Sequence, residues 1–273
     1  AFAYESNRQN LSQYLQTVPT RDNEWDRRHV PYEIANAEHL AMSESAGMIN
    51  LSHFAIMDIK GSDAEGMLEY LSVAKVGANT PEGRVIYTNF LDEDGGVHAD
   101  LTISRMGNDY YRVVTGGADG NRDWVTLRNY RDDHGLEANI NIRTHDISTL
   151  GLWGPHAERA LGHFIDPGEI NIGNFPFVTA KELTLKLPHG KTIEVWAARI
   201  SYVGESGWEI YLNNDSEEGL ALYDALLEVG VVPVGIETYA NSRRLEKSFR
   251  LQGADLETEY NACESAVERP QVK

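Results

Sequence analysis

The run Gly95-Gly96-Val97-His98-Ala99-Asp100-Leu101-Thr102-Ile103-Ser104-Arg105 places one carboxylate, Asp100, just after a paired-glycine turn and at the start of an alternating apolar pattern. Two uses fit an Asp there. It can cap the turn by accepting backbone N–H bonds, or it can handle charge for a ligand brought to the strand. A second group is Tyr202-Val203-Gly204-Glu205-Ser206-Gly207-Trp208-Glu209, where two glycines frame a turn and an aromatic ring and two carboxylates lie beside it. A carboxylate accepts two parallel N–H bonds, so this cluster can read a heterocycle with adjacent donor nitrogens, or it can be an ordinary polar hairpin. The run Arg243-Arg244-Leu245-Glu246-Lys247 has the spacing of Arg-to-Glu pairing along a helix.

Around Asp100 the elements read as a three-stranded meander. Arg84 to Leu91 is rich in β-formers, Leu91 to Gly96 makes the turn, and the strand carrying Leu101 and Ile103 continues across Gly107-Asn108-Asp109 into Tyr111 and Val113. This places Asp100 beside a turn, away from mid-strand. A faint internal repeat organises the rest. Gly61-Ser62-Asp63-Ala64-Glu65-Gly66-Met67-Leu68 and Gly154-Pro155-His156-Ala157-Glu158-Arg159-Ala160-Leu161 share Gly, Ala, Glu and Leu at equal offsets, and each opens a helix. Ser62 with Glu65 has the form of a capping box, and Pro155 suits a first helical position.

Each repeat follows an apolar strand, Ala55 to Ile59 or Ile147 to Trp153, and precedes three strands and a second helix. Those helices are expected near Asp119 to Asp133 and Glu217 to Val229. The pattern predicts an α+β fold of two pseudo-repeated βαβββα halves facing a central cleft. The expected divisions are an N-terminal arm at 1–30, a first half at 31–140, a second at 141–260 and a connector at 261–273. Two further helices are expected, from Tyr32 to Ala46 and from Glu237 to Phe249.

Composition excludes several classes of function. The chain has 24 Lys+Arg against 42 Asp+Glu, a net charge of -18, with no basic block, which argues against nucleic acid or an anionic membrane as partner. A single cysteine, Cys263, rules out an internal disulfide and a multi-cysteine zinc site, and points to the cytosol or an organelle matrix. No apolar stretch approaches the ~18 residues that cross a bilayer. Phosphate-loop, dinucleotide, zincin and nucleophile-elbow motifs are lacking, and the nine histidines show no ligand spacing, so no metal is expected. Thr115-Gly116-Gly117-Ala118-Asp119-Gly120 reads as a turn, and His98 as a surface residue sharing Asp100's face. The last residues look like a connector, so a fragment or processed product is expected.

Taken in order, these segments resemble the glycine-cleavage T-protein (aminomethyltransferase) family. Asn50-Leu51-Ser52-His53-Phe54 is similar to its Asp-Leu-Ser-His segment, with Asn50 replacing Asp. Gly61 to Ala64, Gly95 to Asp100, Gly151 to Ala157, Phe175-Pro176-Phe177, Tyr202 to Ile210 and Ser242 to Lys247 match further stations. Gly83 to Thr88, Asp100-Leu101-Thr102, Val113 to Gly116 and Tyr4 to Asn10 look closest to the folate domains fused to dimethylglycine and sarcosine dehydrogenases. The family's Asn-Pro-Leu-Glu station appears as Asn261-Ala262-Cys263-Glu264, and its C-terminal β-barrel is absent from this chain.

The resemblance implies tetrahydrofolate as cofactor, a small one-carbon donor, and a flavin oxidoreductase domain or subunit as a possible partner. By position, Asp100 is the catalytic acid or base, because moving a one-carbon unit onto folate N5 requires proton transfer or stabilisation of positive charge. Tyr202 and Glu209 are expected to hold the pterin, with Tyr87 and Arg244 as further site residues and Glu205 as a weaker one. The expected function is aminomethyl, methylene or methyl transfer to tetrahydrofolate by a cytoplasmic enzyme. The alternatives are an O- or S-demethylase, or a non-catalytic folate-binding domain of a larger protein. The iron–sulfur maturation branch of the superfamily carries a cysteine motif that Cys263 does not match.

Overall fold

The structure is a computed structural model, and it describes residues 10–17, 32–77, 79–214 and 217–259. Most of the N-terminal arm, Tyr4 to Gln9 of the station opening the chain, Cys263 with its Asn261 to Glu264 segment, and the 261–273 connector lie outside the described residues.

Residues 10–15 are helical. The labelled elements follow in chain order: α1 (Tyr32–Glu44), β1 (Gly47–Asn50), β2 (Ala55–Lys60), α2 (Ala64–Leu71), β3 (Val85–Leu91), β4 (Val97–Gly107), β5 (Tyr110–Thr115), α3 (Gly120–His134), β6 (Asn139–Ile142) and β7 (Ile147–Trp153). Then come α4 (Ala157–Leu161), α5 (Pro167–Ile170), β8 (Ala180–Lys186), β9 (Thr192–Ala198), β10 (Gly207–Asn213), α6 (Glu218–Glu228), β11 (Val232–Pro233), a π-helical turn at Thr238–Arg243 and α7 (Arg244–Glu246).

Chain contacts divide the molecule into two compact units. Of the described residues, one unit contains those within Ser52–Ile147 and Val178–Ala180 and those from Arg250 on; the other contains those up to Leu51 and those within Ser148–Phe177 and Lys181–Phe249. The first holds a five-stranded sheet in the order β3-β4-β5-β2-β6. Alternation puts Ala99, Leu101 and Ile103 of β4, Tyr111 and Val113 of β5 and Met57 and Ile59 of β2 on one face, packed with Met67 and Leu68 of α2 and Leu127 of α3. Asp100, Thr102 and Ser104 occupy the opposite face, where Asp58 is closed by Arg112 (2.8 Å) and Arg143 (3.1 Å).

The second unit holds a six-stranded sheet, β11-β1-β7-β10-β9-β8. Its core face combines Leu183 and Leu185, Val195 and Ala197, and Trp208, Ile210 and Leu212 with Leu161 of α4, Ile170 of α5 and Leu222 and Leu226 of α6. The 10–15 helix joins α1 in a smaller cluster of Leu11, Tyr14, Ala37, Ala41 and Val232.

The order strand, helix, three strands, helix occurs in both units, with the short α5 added after α4 in the second, and the repeated glycines have a structural cause. Gly61 has φ +148° and Gly154 φ +137°. A Cβ on Gly61 would stand 2.0 Å from the Glu137 carbonyl, and one on Gly154 2.3 Å from that of Ser45. Two residues on, the backbone N–H of Asp63 donates to the Glu137 carbonyl (3.2 Å), and that of His156 to Ser45 (2.9 Å). Glu137 leads into β6 and Ser45 into β1, so β1 occupies beside β7 the place that β6 occupies beside β2. Both pairings are antiparallel.

Some expectations need correction. Ser62 and Glu65 form no capping box: the Ser62 hydroxyl donates to Glu137 (3.1 Å), and Glu65 accepts from the Tyr111 hydroxyl (2.9 Å). The helix expected from Glu237 to Phe249 is a π-helical turn and one short α-turn. His98 does not share Asp100's face in a regular strand. A bulge between Phe90 and Leu91 makes it the extra residue of β4, and its ring meets the Thr126 hydroxyl on α3 (3.1 Å).

Candidate functional site

Asp100 lies within β4, directly across from Asn89 of β3. The turn before it is served by a different carboxylate: Asp92 Oδ1 accepts the N–H groups of Gly96 (2.7 Å) and Asp94 (3.1 Å). Asp100 is therefore left for other work. Register places Thr102 opposite Tyr87, so Tyr87 is diagonal to Asp100 on the same face. Its hydroxyl donates to the Asp100 carboxylate.

Burial is the main cause that raises the Asp100 carboxyl to about 7, and the negative charges of Asp119 and Asp123 push the same way, against the Tyr87 hydrogen bond. These two acids stand at the start of α3. Asp123 is fully buried, accepts the Thr115 hydroxyl (2.6 Å) and pairs with Arg122 (2.9 Å). Thr115 also approaches the Asp100 carbonyl (3.4 Å), so one side chain ties the end of β5, α3 and β4 together. The glycine-rich run after it is there for packing: a Cβ on Gly117 would stand 1.9 Å from the His53 carbonyl, and one on Gly120 2.2 Å from Ala55 Cβ.

Tyr202, Glu205, Glu209 and Arg244 belong to the six-stranded unit. The turn that carries the first two is anchored by Arg199, which is buried, donates to the carbonyls of Ile170 (2.8 Å) and Phe175 (3.0 Å), and lies 4.9 Å over the Trp208 ring. Tyr202 stacks on Phe249 (6.0 Å, 17°) and lies 5.4 Å from Tyr239. Arg244 donates to the Ala240 carbonyl (2.7 Å) and to that of Phe249 (3.3 Å), so Phe249 joins Tyr202 and Arg244. Glu205 is engaged by the buried Arg243, with Lys247 at 3.6 Å. Arg243 is the last residue of the π-helical turn.

Glu209 points away from the core face, between the core residues Trp208 and Ile210. It is 5% exposed and accepts the Tyr211 hydroxyl, while burial pushes its carboxyl up to about 7. A carboxyl stripped of water in this way is suited to a ligand that offers adjacent N–H donors. Among the described residues, no three His, Cys, Asp or Glu side chains are grouped to hold a metal ion, and no helix is long and apolar enough to cross a membrane.

Asn89, Thr115, Asp119 and Asp123 were not singled out in sequence as neighbours of Asp100. The Asn89 position follows from the strand register, and the two acids from the first turn of a helix that begins where β5 ends.

The family described as the GCVT N-terminal domain matches residues 9–270. An aminomethyltransferase of Chlorobaculum parvum is 31% identical over 246 residues, covering 87% of this chain and 63% of that protein. One of Alkaliphilus oremlandii is 27% identical over 242 residues, covering 87% and 62%. Human mitochondrial dimethylglycine dehydrogenase is 30% identical over 249 residues, covering 89% of this chain and 27% of that protein. The chain thus spans less than two thirds of these aminomethyltransferases. In fold it is similar to the crystal structure of aminomethyltransferase T of the Bartonella henselae glycine cleavage system, with a TM-score of 0.72 at 23% identity over 87% of this chain and 62% of that one.

Proposed function

The chain belongs to the GCVT N-terminal domain family, and from that premise we propose that it is the folate-binding part of a tetrahydrofolate-dependent one-carbon transferase. The observation that carries the reading is Asp100: a carboxyl set within a strand, contacted by the Tyr87 hydroxyl, relieved of turn-capping by Asp92, and held near neutrality by burial and by Asp119 and Asp123. A group that titrates near the working pH both gives and takes a proton readily. Bound tetrahydrofolate would supply the nitrogen that accepts the one-carbon unit. Asp100 would manage the proton or the positive charge at that centre, with Tyr87 orienting it. Glu209 would hold the pterin through its N–H donors, and Tyr202 and Arg244 would shape that side. Glu205 would serve through its pair with Arg243.

The likeness to dimethylglycine dehydrogenase at 30% identity supports a small amine as donor and an oxidising domain or subunit as partner. Transfer of a methylene or aminomethyl unit is therefore favoured over transfer of an intact methyl group. The test is calorimetry with tetrahydrofolate on the wild type and on Asp100→Asn, followed by turnover with candidate amines and identification of the folate product. The reading requires binding in both proteins and loss of turnover in the variant. Methyl-tetrahydrofolate as the product would shift it to demethylation, and absence of folate binding would overturn it.

A further inference from the structure

The two sheets differ at one edge. In the six-stranded unit, β1 has β7 on one side and β11 on the other, with β11 parallel to it: Gly47 faces Val232 and Met48 faces Pro233. The N–H of Val232 donates to the Ala46 carbonyl (3.0 Å), and that of Val234 to the Met48 carbonyl (2.8 Å). In the five-stranded unit the counterpart of β1 is β6, and β6 is the last strand of its sheet among the described residues.

The direction of its backbone groups follows from the ladder. Arg143 N–H donates to the Ile56 carbonyl (2.7 Å), which makes Ile56 and Arg143 a hydrogen-bonded pair. Alternation then directs the groups of Asn141 and Asn139 toward β2, and those of Ile140 and Ile142 away from it. The shared glycine contacts align Ser45 with Glu137, hence Ala46 with Ala138 and Met48 with Ile140. The carbonyls of Ala138 and Ile140 therefore match the two that accept β11 in the other unit. Ile142 is 50% exposed, and Ile140 extends the core of its own sheet.

We propose that this edge of β6 is a docking site for an extended segment of a partner protein, added as a sixth strand parallel to β6. A β-branched or proline residue would stand beside Ile140 as Pro233 stands beside Met48. Because the added strand runs parallel, its amino end lies by the start of β6, where Asp133 and Glu137 are exposed, the latter accepting the Ser62 hydroxyl, beside an Asp132 already paired with Arg131. Lys or Arg at that end complements them. A second copy of the chain is a poorer occupant. A twofold axis would pair β6 with β6 antiparallel, and each copy carries a net charge of -18.

The test is amide hydrogen exchange on the full chain, with and without the peptide Lys-Lys-Gly-Val-Val-Pro-Val-Gly, which carries the β11 residues behind two lysines. The Ile140 and Ile142 amides should exchange rapidly in the free chain and slow by about ten-fold or more at saturation, with binding weakened by salt. Arg143, already bonded to β2, should be unchanged. Ile140→Pro removes an outward N–H that the sheet does not use, so the variant should keep its Arg143 protection and lose the peptide effect. Ile142→Pro supplies the same test independently. Protection of these amides in the free chain, an unchanged rate with peptide, or protection that rises with chain concentration through self-association would overturn the proposal. Folate binding does not enter this measurement, so its outcome is separate from that of the transferase reading.

Discussion

Asp100 and Glu209 are carboxyls in different sheets that reach the same state by different means. Asp100 is raised by burial and by like charges on α3, whereas Glu209 is raised by burial alone against one hydrogen bond from Tyr211. Asp100→Asn keeps the shape and the Tyr87 contact but removes proton exchange, so turnover should fall by about 10²-fold or more. Tetrahydrofolate affinity, read by calorimetry, should change much less. Glu209→Gln should do the reverse, weakening tetrahydrofolate binding by about 10- to 100-fold, the loss expected for a charge-assisted hydrogen bond worth about 1.5–3 kcal/mol. Equal effects of the two substitutions on binding and turnover would refute this division of labour.

At the scale of elements, the paired glycine contacts give predictions of opposite sign from one kind of substitution. Gly61→Ala and Gly154→Ala force a methyl group into a carbonyl oxygen at positive φ, and each should destabilise the chain by at least about 2 kcal/mol in denaturant unfolding. Gly66→Ala, within α2 and with nothing within 4 Å of its new methyl group, should stabilise it by about 0.5–1 kcal/mol. The long periodic elements were legible for the same reason that they are stable: β4, β5, β10, α3 and α6 alternate or repeat against a core within their own unit. β1, β6 and β11 escaped notice because each has four residues or fewer, and the partners of β1 lie about a hundred residues or more away along the chain. The same limit applied to Asp100. Its chemical type drew attention to it, but its place within a strand depended on Asp92 taking over the turn and on the bulge before His98.

For the whole molecule, the two raised carboxyls contribute a downward slope to stability against pH. Glu38, whose carboxyl is also raised by burial, acts in the same sense, and His39 and His53, whose imidazoles burial lowers, act in the opposite sense. Asp100 and Glu209 each bind a proton in the folded state at a pH where the unfolded chain has released it, so their contribution is fully present below about pH 4 and is lost as pH rises through 7. Stability between pH 5 and 8 should slope downward from this source, and Asp100→Asn combined with Glu209→Gln should shift the slope of thermal melts across that range toward the upward one that His39 and His53 impose. A net charge of -18 adds self-repulsion, so modest salt should raise the melting temperature at pH 8.

The placement of β1 between β7 and β11 also orders events in time. Strands β2 to β6 come from one continuous stretch of chain and can pair as soon as they leave the ribosome, whereas β1 is made before them and waits for Val232. At ordinary synthesis rates that wait lasts roughly 10–40 s. Until β7 is made, Met48 and Ile49 have neither neighbouring strand, and from then until Val232 they have only one. A nascent chain halted before Ile147 should therefore be cut by protease near β1 while the later-made β2–β6 sheet resists, inverting the usual sequence in which the part made first is the part protected first.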